Sequence, residues 1–455
     1  MCIFRNSRGA LLIALLAAAA ALSPALAGAA EPEKLTLEDS IVLALANNPA
    51  VKAVQAEKDS AFWKVNQARA RTGFNLSYSF ARARTDEPPS WYNNTTTGYP
   101  ISFYPLSVNR IEYPAWTETY DVYRHQLLLT YPLYTGGKIE NAVRLAKHGE
   151  TAAGQAVAAV RQQLTAEVTT AYFNVLQTRN LAEVAAQAVG DLEAHLRNVQ
   201  NHYDAGTVAL SDVLQTEVRL ANVRNNLIKA RNVHQLARYK FNKTVGLSLH
   251  NAATLADDLN FEPSQPTVDD SVAAALAKRP EMTQARLRLA MAEDKLKIAH
   301  SGNLPTVALV ASDTRQDTLP SSSKNNVSWM VGVNVQFNVF DNGLTRAEIK
   351  QAESDLNGAR EHFRQMEDRI TLEVCQAHLN VQEAIGRIDN NRVAVRQSET
   401  DYELAQEKYE NGVGTNLDVM DAELAKTQAK INYIQALYDY HIGRAQLDRA
   451  TGVVR

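Results

Sequence analysis

The sequence predicts a mainly α-helical chain that also carries a membrane β-barrel portion and is internally duplicated. Three observations lead to this fold class: markers that recur in both halves, two proline-free helical stretches of unusual length, and four segments of alternating apolar and polar residues. The 455 residues are 45% hydrophobic, with a formal net charge of -3. This composition is too apolar for a disordered chain, and it lacks the basic excess of a nucleic-acid binder, so we expect no nucleic-acid partner.

The first 27 residues are predicted to be a secretory signal peptide. Arg5 and Arg8 precede an apolar run over residues 9–22, and a small-residue cleavage pattern ends at Ala27. The apolar run is too short for a membrane-spanning helix, which needs about 20 residues. Cleavage would leave Cys375 as the one cysteine of the mature chain, so no disulfide within one chain is expected.

The remaining chain divides into a first structural repeat at 28–247, a connector at 248–265 and a second repeat at 266–455. In each repeat the first helix opens on a threonine followed three residues later by an aspartate, a pattern that resembles a capping box. A proline then starts the next helix. The recurring markers are Thr36, Asp39, Ser40, Leu45 and Pro49, which match Thr267, Asp270, Ser271, Leu276 and Pro280.

Each repeat ends in a predicted long helical hairpin, over 138–247 and 344–452. The first arm of each hairpin has about 65 residues and would be roughly 100 Å long, whereas globular helices average about 11 residues. Gly206 and Gly412 mark the turns into the returning helices.

Four strands are predicted at 73–83, 119–134, 305–315 and 327–340, because apolar residues occupy every second position. Four strands cannot close a barrel, since the smallest known barrels have about eight. If the strands cross a membrane, several chains must therefore share one barrel. The residues predicted to face lipid are Trp329, Val331, Val333, Val335 and Phe337.

The doubled motifs resemble the TolC-like outer-membrane factors. They are Tyr203-x-x-Gly206-x5-Asp212-Val213 and its match Tyr409-x-x-Gly412-x5-Asp418-Val419, with Tyr134-Thr-Gly-Gly137 and Phe340-Asp-Asn-Gly343 where strand gives way to long helix. The resemblance implies a homotrimer in which four β-strands per chain form a shared twelve-stranded trimeric barrel. This barrel would be continuous with a long α-helical barrel in the periplasm.

By the same resemblance, the protein is expected to be the outer-membrane exit duct of a tripartite efflux or type I secretion system. It would lie in outer-membrane lipid and pass drugs or polypeptides from an inner-membrane pump of RND or ABC type, through a periplasmic adaptor (membrane fusion) protein. The alternative is a non-pore periplasmic coiled-coil adaptor or tether. No catalytic motif, cofactor or metal site is expected: the histidines are scattered, and His195 and His202 have no accompanying acid pattern.

The resemblance also places a periplasmic gate at Asp212, Tyr409, Asp418 and Asp421, with Asp212 as the partner of Tyr409. Asp418 and Asp421 share one helix face, so we expect like-charge repulsion to raise their pKa values and the lumen to favour cations. Alternatively, Tyr409 and Asp418 serve as hairpin-turn and helix-cap residues.

The expected contacts between the hairpin tips and the adaptor are Tyr203, Gly206, Gly412 and Gly414. Gly414 replaces the arginine that usually accompanies the gate tyrosine in this family, so the gate is expected to have fewer ionic ties and to open more readily. Residues 85–118, rich in proline and aromatic residues, are interpreted either as a lid over the barrel mouth or as an ordinary external loop.

Overall fold

The computed structural model describes residues 34–86, 119–251, 253–256, 267–319 and 326–453, and within them the chain is mainly helical with one sheet. The predicted signal peptide and nearly all of the predicted external loop lie outside the described residues. The elements in chain order are α1 (Leu37–Asn47), α2 (Pro49–Ala70), β1 (Asn75–Thr85), β2 (Tyr120–Tyr134), α3 (Lys138–Asp204), α4 (Leu210–Val245), α5 (Val268–Lys278), α6 (Pro280–His300), β3 (Thr306–Leu319), β4 (Asn326–Gln336), α7 (Leu344–Glu410) and α8 (Asn416–Ala450), with a short 3-10 turn at Ser301–Asn303.

The two halves repeat one order of elements: two helices, two strands and a helical hairpin. The capping boxes predicted for the first helices are confirmed. The Asp39 N–H donates to Thr36 Oγ1 at 3.1 Å, and the Asp270 N–H donates to Thr267 Oγ1 at 3.2 Å. In both cases the threonine hydroxyl also donates to the aspartate carboxylate, at 2.6 Å.

The first arms of the two hairpins, α3 and α7, are 67 residues long each, and both end in the same turn. Gly206 and Gly412 have a φ of +72°, the left-handed region that side chains rarely tolerate. Their N–H groups donate three residues back, to the carbonyls of Tyr203 and Tyr409, and the next residues bond five back. This is the Schellman pattern, and it explains the glycine at both turns.

The chain forms two compact units. One, here called the tip unit, contains Val168–Glu262, Ser398–Ile434 and the chain up to Ala44, and therefore both hairpin turns. The other, the sheet unit, contains Leu45–Glu167, Pro263–Gln397 and Gln435–Arg455. None of the helices in the described part of the chain has the length and apolarity needed to cross a membrane.

The four strands form one antiparallel sheet in the order β1-β2-β3-β4, so β1 and β4 are its edges. Leu76 pairs with Leu129, Leu129 with Ala311, and Ala311 with Val331. Since paired residues share a face, this row and its neighbours make one side of the sheet apolar. On the other side lie mostly small or polar residues, including Ser77, Ser79, Ser312, Thr314 and Ser328.

The observed strand ends differ from the predicted ones by a few residues. Most notably, β4 ends at Gln336, and Phe337, predicted to lie in the strand, falls just beyond it. Gln336 pairs with Thr306, the first residue of β3. The preceding residue is Pro305, which has no N–H and so cannot donate a further ladder bond beyond that pair.

In the sheet unit, the junction between α5 and α6 is fixed to α7 by a buried arginine. Arg279 is 1% exposed, and its guanidinium contacts Glu281 at 2.9 Å and Glu373 at 2.6 Å. Glu281 lies in the first turn of α6 and Glu373 lies on α7. One side chain therefore ties three helices together.

Replacing Arg279 by alanine should destabilise the sheet unit by about 2 kcal/mol. Removing one partner of a buried pair typically costs about 3–5 kcal/mol, and here the two glutamates keep some access to water. The measurement is the thermal midpoint of the purified protein. Arg286→Ala, an exposed position of α6, is the control and should leave the midpoint unchanged. Equal midpoints for both variants would contradict the anchoring role.

Candidate functional site at the hairpin tips

Tyr409, the predicted gate tyrosine, lies inside the tip unit. It is 5% exposed and packs in a core cluster with Val199 and Val419. Its ring makes edge contacts with His195 and His202, with centroids 5.2 and 5.4 Å apart. The two histidines noted in the sequence therefore flank an aromatic ring, and within the described residues no cluster suited to a metal ion is formed.

The expected bond between Tyr409 and Asp212 is not formed. Within the described residues, the buried Tyr409 hydroxyl has no hydrogen-bond partner. Burial, and secondarily the negative charge of Asp212, raise the pKa of Tyr409, so the hydroxyl stays protonated. A buried hydroxyl without a partner costs about 1–3 kcal/mol, which weakens the packing around Tyr409.

Asn416, at the start of α8, makes the contacts that join the hairpins. Its side chain is 5% exposed, and its Nδ2 donates to the Asp212 carbonyl at 3.1 Å. Its Oδ1 lies 2.8 Å from His195 Nε2 and 3.2 Å from the Thr216 hydroxyl. These partners lie on α3 and α4, so one amide connects the first hairpin to the second. We call this group the Asn416 node.

The bonds of the Asn416 node fix the protonation of His195. Because Asn416 Nδ2 faces a carbonyl, its Oδ1 faces His195 and must accept, so Nε2 carries the proton. His195 is 2% exposed, and this burial lowers its pKa, an effect that the bond to Asn416 opposes. The imidazole is therefore neutral around pH 7, and the node holds no net charge.

Asp418 caps α8. Its carboxylate accepts from the Thr415 N–H at 2.9 Å and from the Thr415 hydroxyl at 2.7 Å, while the Asp418 N–H donates to Thr415 Oγ1 at 3.2 Å. Within the single chain these bonds lower the pKa of Asp418, the opposite of the expected direction. The matching Asp212 forms no such cap, because Ala209 stands where the second half has Thr415.

Asp421 lies three residues after Asp418 on α8 and is exposed. It borders an open groove of about 430 Å³ between α4 and α8. Much of the groove wall is apolar, formed by Leu214, Val218, Leu417 and Met420, with Arg219 and Asn222 among its polar members. Asp421 is thus an exposed carboxylate at the tip that, unlike Asp418, does not cap the helix.

A buried charged group lies deeper in the tip unit. Lys426, 6% exposed, contacts Asp191 at 2.7 Å, and its Nζ lies 3.5 Å from the centre of the Tyr402 ring. Glu423 is 1% exposed and accepts from the Thr427 hydroxyl at 2.7 Å; burial raises its pKa. These contacts add a second connection between α3 and the second hairpin.

The predicted adaptor contacts lie at the turns. Tyr203 is 39% exposed although it matches the buried Tyr409, and Gly206 and Gly412 are exposed. Gly414 lies against the end of α7: an added Cβ would lie 3.0 Å from Lys408 Cβ and 3.1 Å from the Tyr409 nitrogen. A side chain at position 414 would therefore require the turn to shift.

The residues predicted to face lipid share the apolar side of the sheet, with Phe337 just past the end of β4. All five are more than half exposed in the single chain, and Trp329 reaches 78%. Such a patch needs a non-aqueous environment or a partner.

The sequence identified Tyr409, Asp212 and Asp418 but missed His195, Thr216 and Asn416 as a connected group. The duplication offered one signal: Asn416 stands where the first half has Leu210. A polar residue replacing an apolar one at matching positions marks a place where the two hairpins differ.

A sheet with an exposed apolar face and two open edges, joined to two long helical hairpins, is typical of a subunit of a shared membrane channel. The model of the family described as "Outer membrane efflux protein" matches residues 40–246 and 272–453. The chain therefore belongs to the outer membrane efflux protein family.

Individual comparisons agree with this assignment. The chain is 24% identical over 428 residues to the outer membrane protein TolC of Escherichia coli, covering 90% of this chain and 80% of TolC. It is 24% identical over 433 residues to the alkaline protease secretion protein AprF of Pseudomonas aeruginosa, covering 92% and 85%. The crystal structure of the Campylobacter jejuni CmeC outer membrane channel superposes with a TM-score of 0.78 at 16% identity, covering 92% and 85%.

The protein is therefore an outer-membrane exit duct for efflux or secretion, with the mainly helical, sheet-bearing fold that the sequence predicts. The alternative of a non-pore adaptor or tether is set aside, because the family consists of channel proteins.

Asn416→Ala should loosen the tip by about 1–3 kcal/mol, because the His195 N–H and the Asp212 carbonyl would lose their shared partner. Hydrogen exchange of the α3–α4 and α7–α8 turns measures this as faster exchange. Asn201→Ala, an exposed position on α3, is the control. Unchanged exchange in Asn416→Ala would mean that the node does not join the hairpins.

The tip should also loosen on acidification. The folded-state pKa of His195 is lowered, so its stabilising neutral form is fully present above the ordinary value of 6.5 and is lost as pH falls below it. After correction for the slower intrinsic amide exchange at lower pH, the opening equilibrium of the turns should rise as pH falls below about 6.5. His195→Gln, which keeps an N–H donor, should remove the part of this dependence that belongs to His195, and an unchanged pH profile would contradict this assignment.

Proposed function

We propose that three copies of this chain form one duct, sharing a twelve-stranded barrel in the outer membrane and a helical barrel in the periplasm. The observation that carries this proposal is the four-stranded sheet with two unpaired edges and an exposed apolar face. Edge strands must be paired before they can lie in lipid. Pairing β4 of one copy with β1 of the next would close the sheet, and three copies give twelve strands, above the minimum of about eight.

The duct would carry solutes or polypeptides delivered by an inner-membrane pump of RND or ABC type through a periplasmic adaptor. Three observations support this. One relative is the alkaline protease secretion protein of Pseudomonas aeruginosa, and one similar solved structure is an outer-membrane channel. The tip turns, with the exposed Tyr203 and Gly412, provide accessible surface for an adaptor.

The gate is proposed to lie at the tips and to be held closed mainly by the Asn416 node. Tyr409 supports closure through packing, since its hydroxyl makes no bond that opening would break. The node itself is neutral and buried, and the second connection between the hairpins, Lys426 with Asp191, is an ion pair largely shielded from water. Salt should therefore weaken it little.

Single-channel conductance of the purified oligomer tests this assignment. Asn416→Ala should raise the conductance or the open fraction, because it removes bonds between the hairpins. Tyr409→Phe should leave the conductance unchanged or lower it, since removing a buried hydroxyl without a partner stabilises the closed packing by about 1 kcal/mol. A conductance that rises in Tyr409→Phe and not in Asn416→Ala would place the lock at the tyrosine hydroxyl.

Asp421 is proposed to give the closed tip its preference for cations. Three copies would place three exposed carboxylates around one lumen. Asp421→Asn should reduce the preference for K⁺ over Cl⁻ in reversal-potential measurements while leaving the hairpin turns intact. Asp401→Asn on α7, also exposed, is the control. Equal selectivity in wild type and Asp421→Asn would exclude this ring.

A further inference from the structure

The apolar side of the sheet ends in a belt of charged residues. The row that joins Tyr78, Leu127 and Trp329 also contains Asp313, and beyond it the same face continues through Arg315, Arg82 and Arg84 as each strand runs away from the helices. The charged members of this face are Arg82, Arg84, Asp121, Asp313, Arg315 and Asp317, here called the charged belt.

The arginines of the charged belt are oriented by carboxylates and project beyond them. Asp121 lies 3.8 Å from Arg82 Nη2 and 3.4 Å from Arg84 Nε, and Asp313 lies 3.7 Å from Arg315 Nε. The three arginine side chains are 61%, 70% and 67% exposed, against 20% and 39% for Asp121 and Asp313. The carboxylates are thus partly covered while the guanidinium groups reach outward.

Aromatic residues accompany the arginines. The Arg82 guanidinium lies 5.4 Å from the centre of the Tyr123 ring, and the Tyr78 hydroxyl contacts His125 Nδ1 at 2.8 Å. Phe80 packs its ring 4.9 Å from that of His125. Aromatic rings bordering an apolar band are typical of the membrane interface.

The dimensions place the charged belt at headgroup level. From Val335 to Val327 β4 runs about 26 Å, which at a strand tilt of about 35–45° spans about 19–22 Å of an apolar band about 25 Å tall. Arg315 pairs with Val327 at the end of this span, and Arg82 and Arg84 lie one and two rows further out. The opposite end of the sheet leads directly into α3, which begins at Lys138 shortly after β2 ends at Tyr134. With the helices in the periplasm, the belt lies in the outer leaflet.

We propose that the charged belt binds phosphate-bearing glycolipid headgroups of the outer leaflet. A guanidinium presents a planar fork that matches phosphate oxygens, and the three arginine side chains remain mostly exposed beside their carboxylates. Asp317, exposed on the same face, lies two residues from Arg315 on β3 and in the row of Arg82 and Tyr123, so its charge limits how closely a phosphate approaches either arginine. The proposal rests on the outer-membrane location and not on the gate.

The test compares the purified full-length oligomer with a variant in which Arg82, Arg84 and Arg315 are changed to glutamine. A matched control changes Arg124, Arg286 and Arg288, which lie outside this face. Binding is measured by native mass spectrometry and by co-sedimentation with vesicles of phosphatidylcholine containing lipid A, dephosphorylated lipid A, or neither. Inorganic phosphate is added as a competitor in a separate arm.

Wild type and control should bind lipid A, and the belt variant should bind it more weakly by on the order of tenfold or more. Wild-type binding should fall to the belt-variant level with dephosphorylated lipid A, and millimolar phosphate should displace little, because the apolar band also holds the lipid. The proposal would be overturned if wild type and belt variant bound lipid A equally. It would also be overturned if wild type bound lipid A and dephosphorylated lipid A equally. The channel conductance of the belt variant should stay at the wild-type value. A belt variant that binds lipid A normally but loses conductance would show that the arginines serve the channel, and it would overturn the proposal.

Discussion

The unpaired edges of the four-stranded sheet are the constraint on which the rest of the structure depends. Every backbone N–H and C=O in lipid needs a partner, and β1 and β4 each leave one edge open. One chain has too few strands to solve this alone, so closure requires further copies. The apolar face on Trp329, Val331 and Val333 has a use only once that closure is made, because in water it would favour aggregation.

Duplication accounts for most of the structure, and the proposed gate lies where the two halves have diverged. Both hairpins share the glycine turn, with the same φ at Gly206 and Gly412. Yet Tyr409 is buried where Tyr203 is exposed, and Thr415 caps α8 where Ala209 leaves α4 without a side-chain cap. A symmetric tip would have no preferred hairpin to move. Because of these differences, the second hairpin is held to the first by side-chain hydrogen bonds of Asn416.

Much of the fold follows from local signals in the sequence. Period-two alternation identified all four strands, and the capping threonines and prolines identified where α1, α2 and α6 begin. The end of β4 was misplaced because alternation continues to Val339, whereas the ladder stops where β3 loses its N–H at Pro305. The end of β4 is therefore set by a residue of the partner strand, and the sequence pattern of β4 alone does not predict it. The Asn416 node was missed for the same reason, since its members lie on three different helices.

In the proposed gate, the chemistry of the node supplies bonds between the hairpins that need no arginine at position 414. An ion pair between exposed tips would be screened by salt and would add little, typically below about 1 kcal/mol. A buried amide that bonds to His195 and to the Asp212 carbonyl acts differently, because breaking it leaves the His195 N–H unpaired inside the protein, while the Asp212 carbonyl keeps the Thr216 hydroxyl. The unbonded Tyr409 hydroxyl opposes it by a comparable amount. In the proposed gate, closure would therefore combine the neutral bonds of the node with the shielded Lys426–Asp191 pair, and the unbonded Tyr409 hydroxyl would lower its total strength.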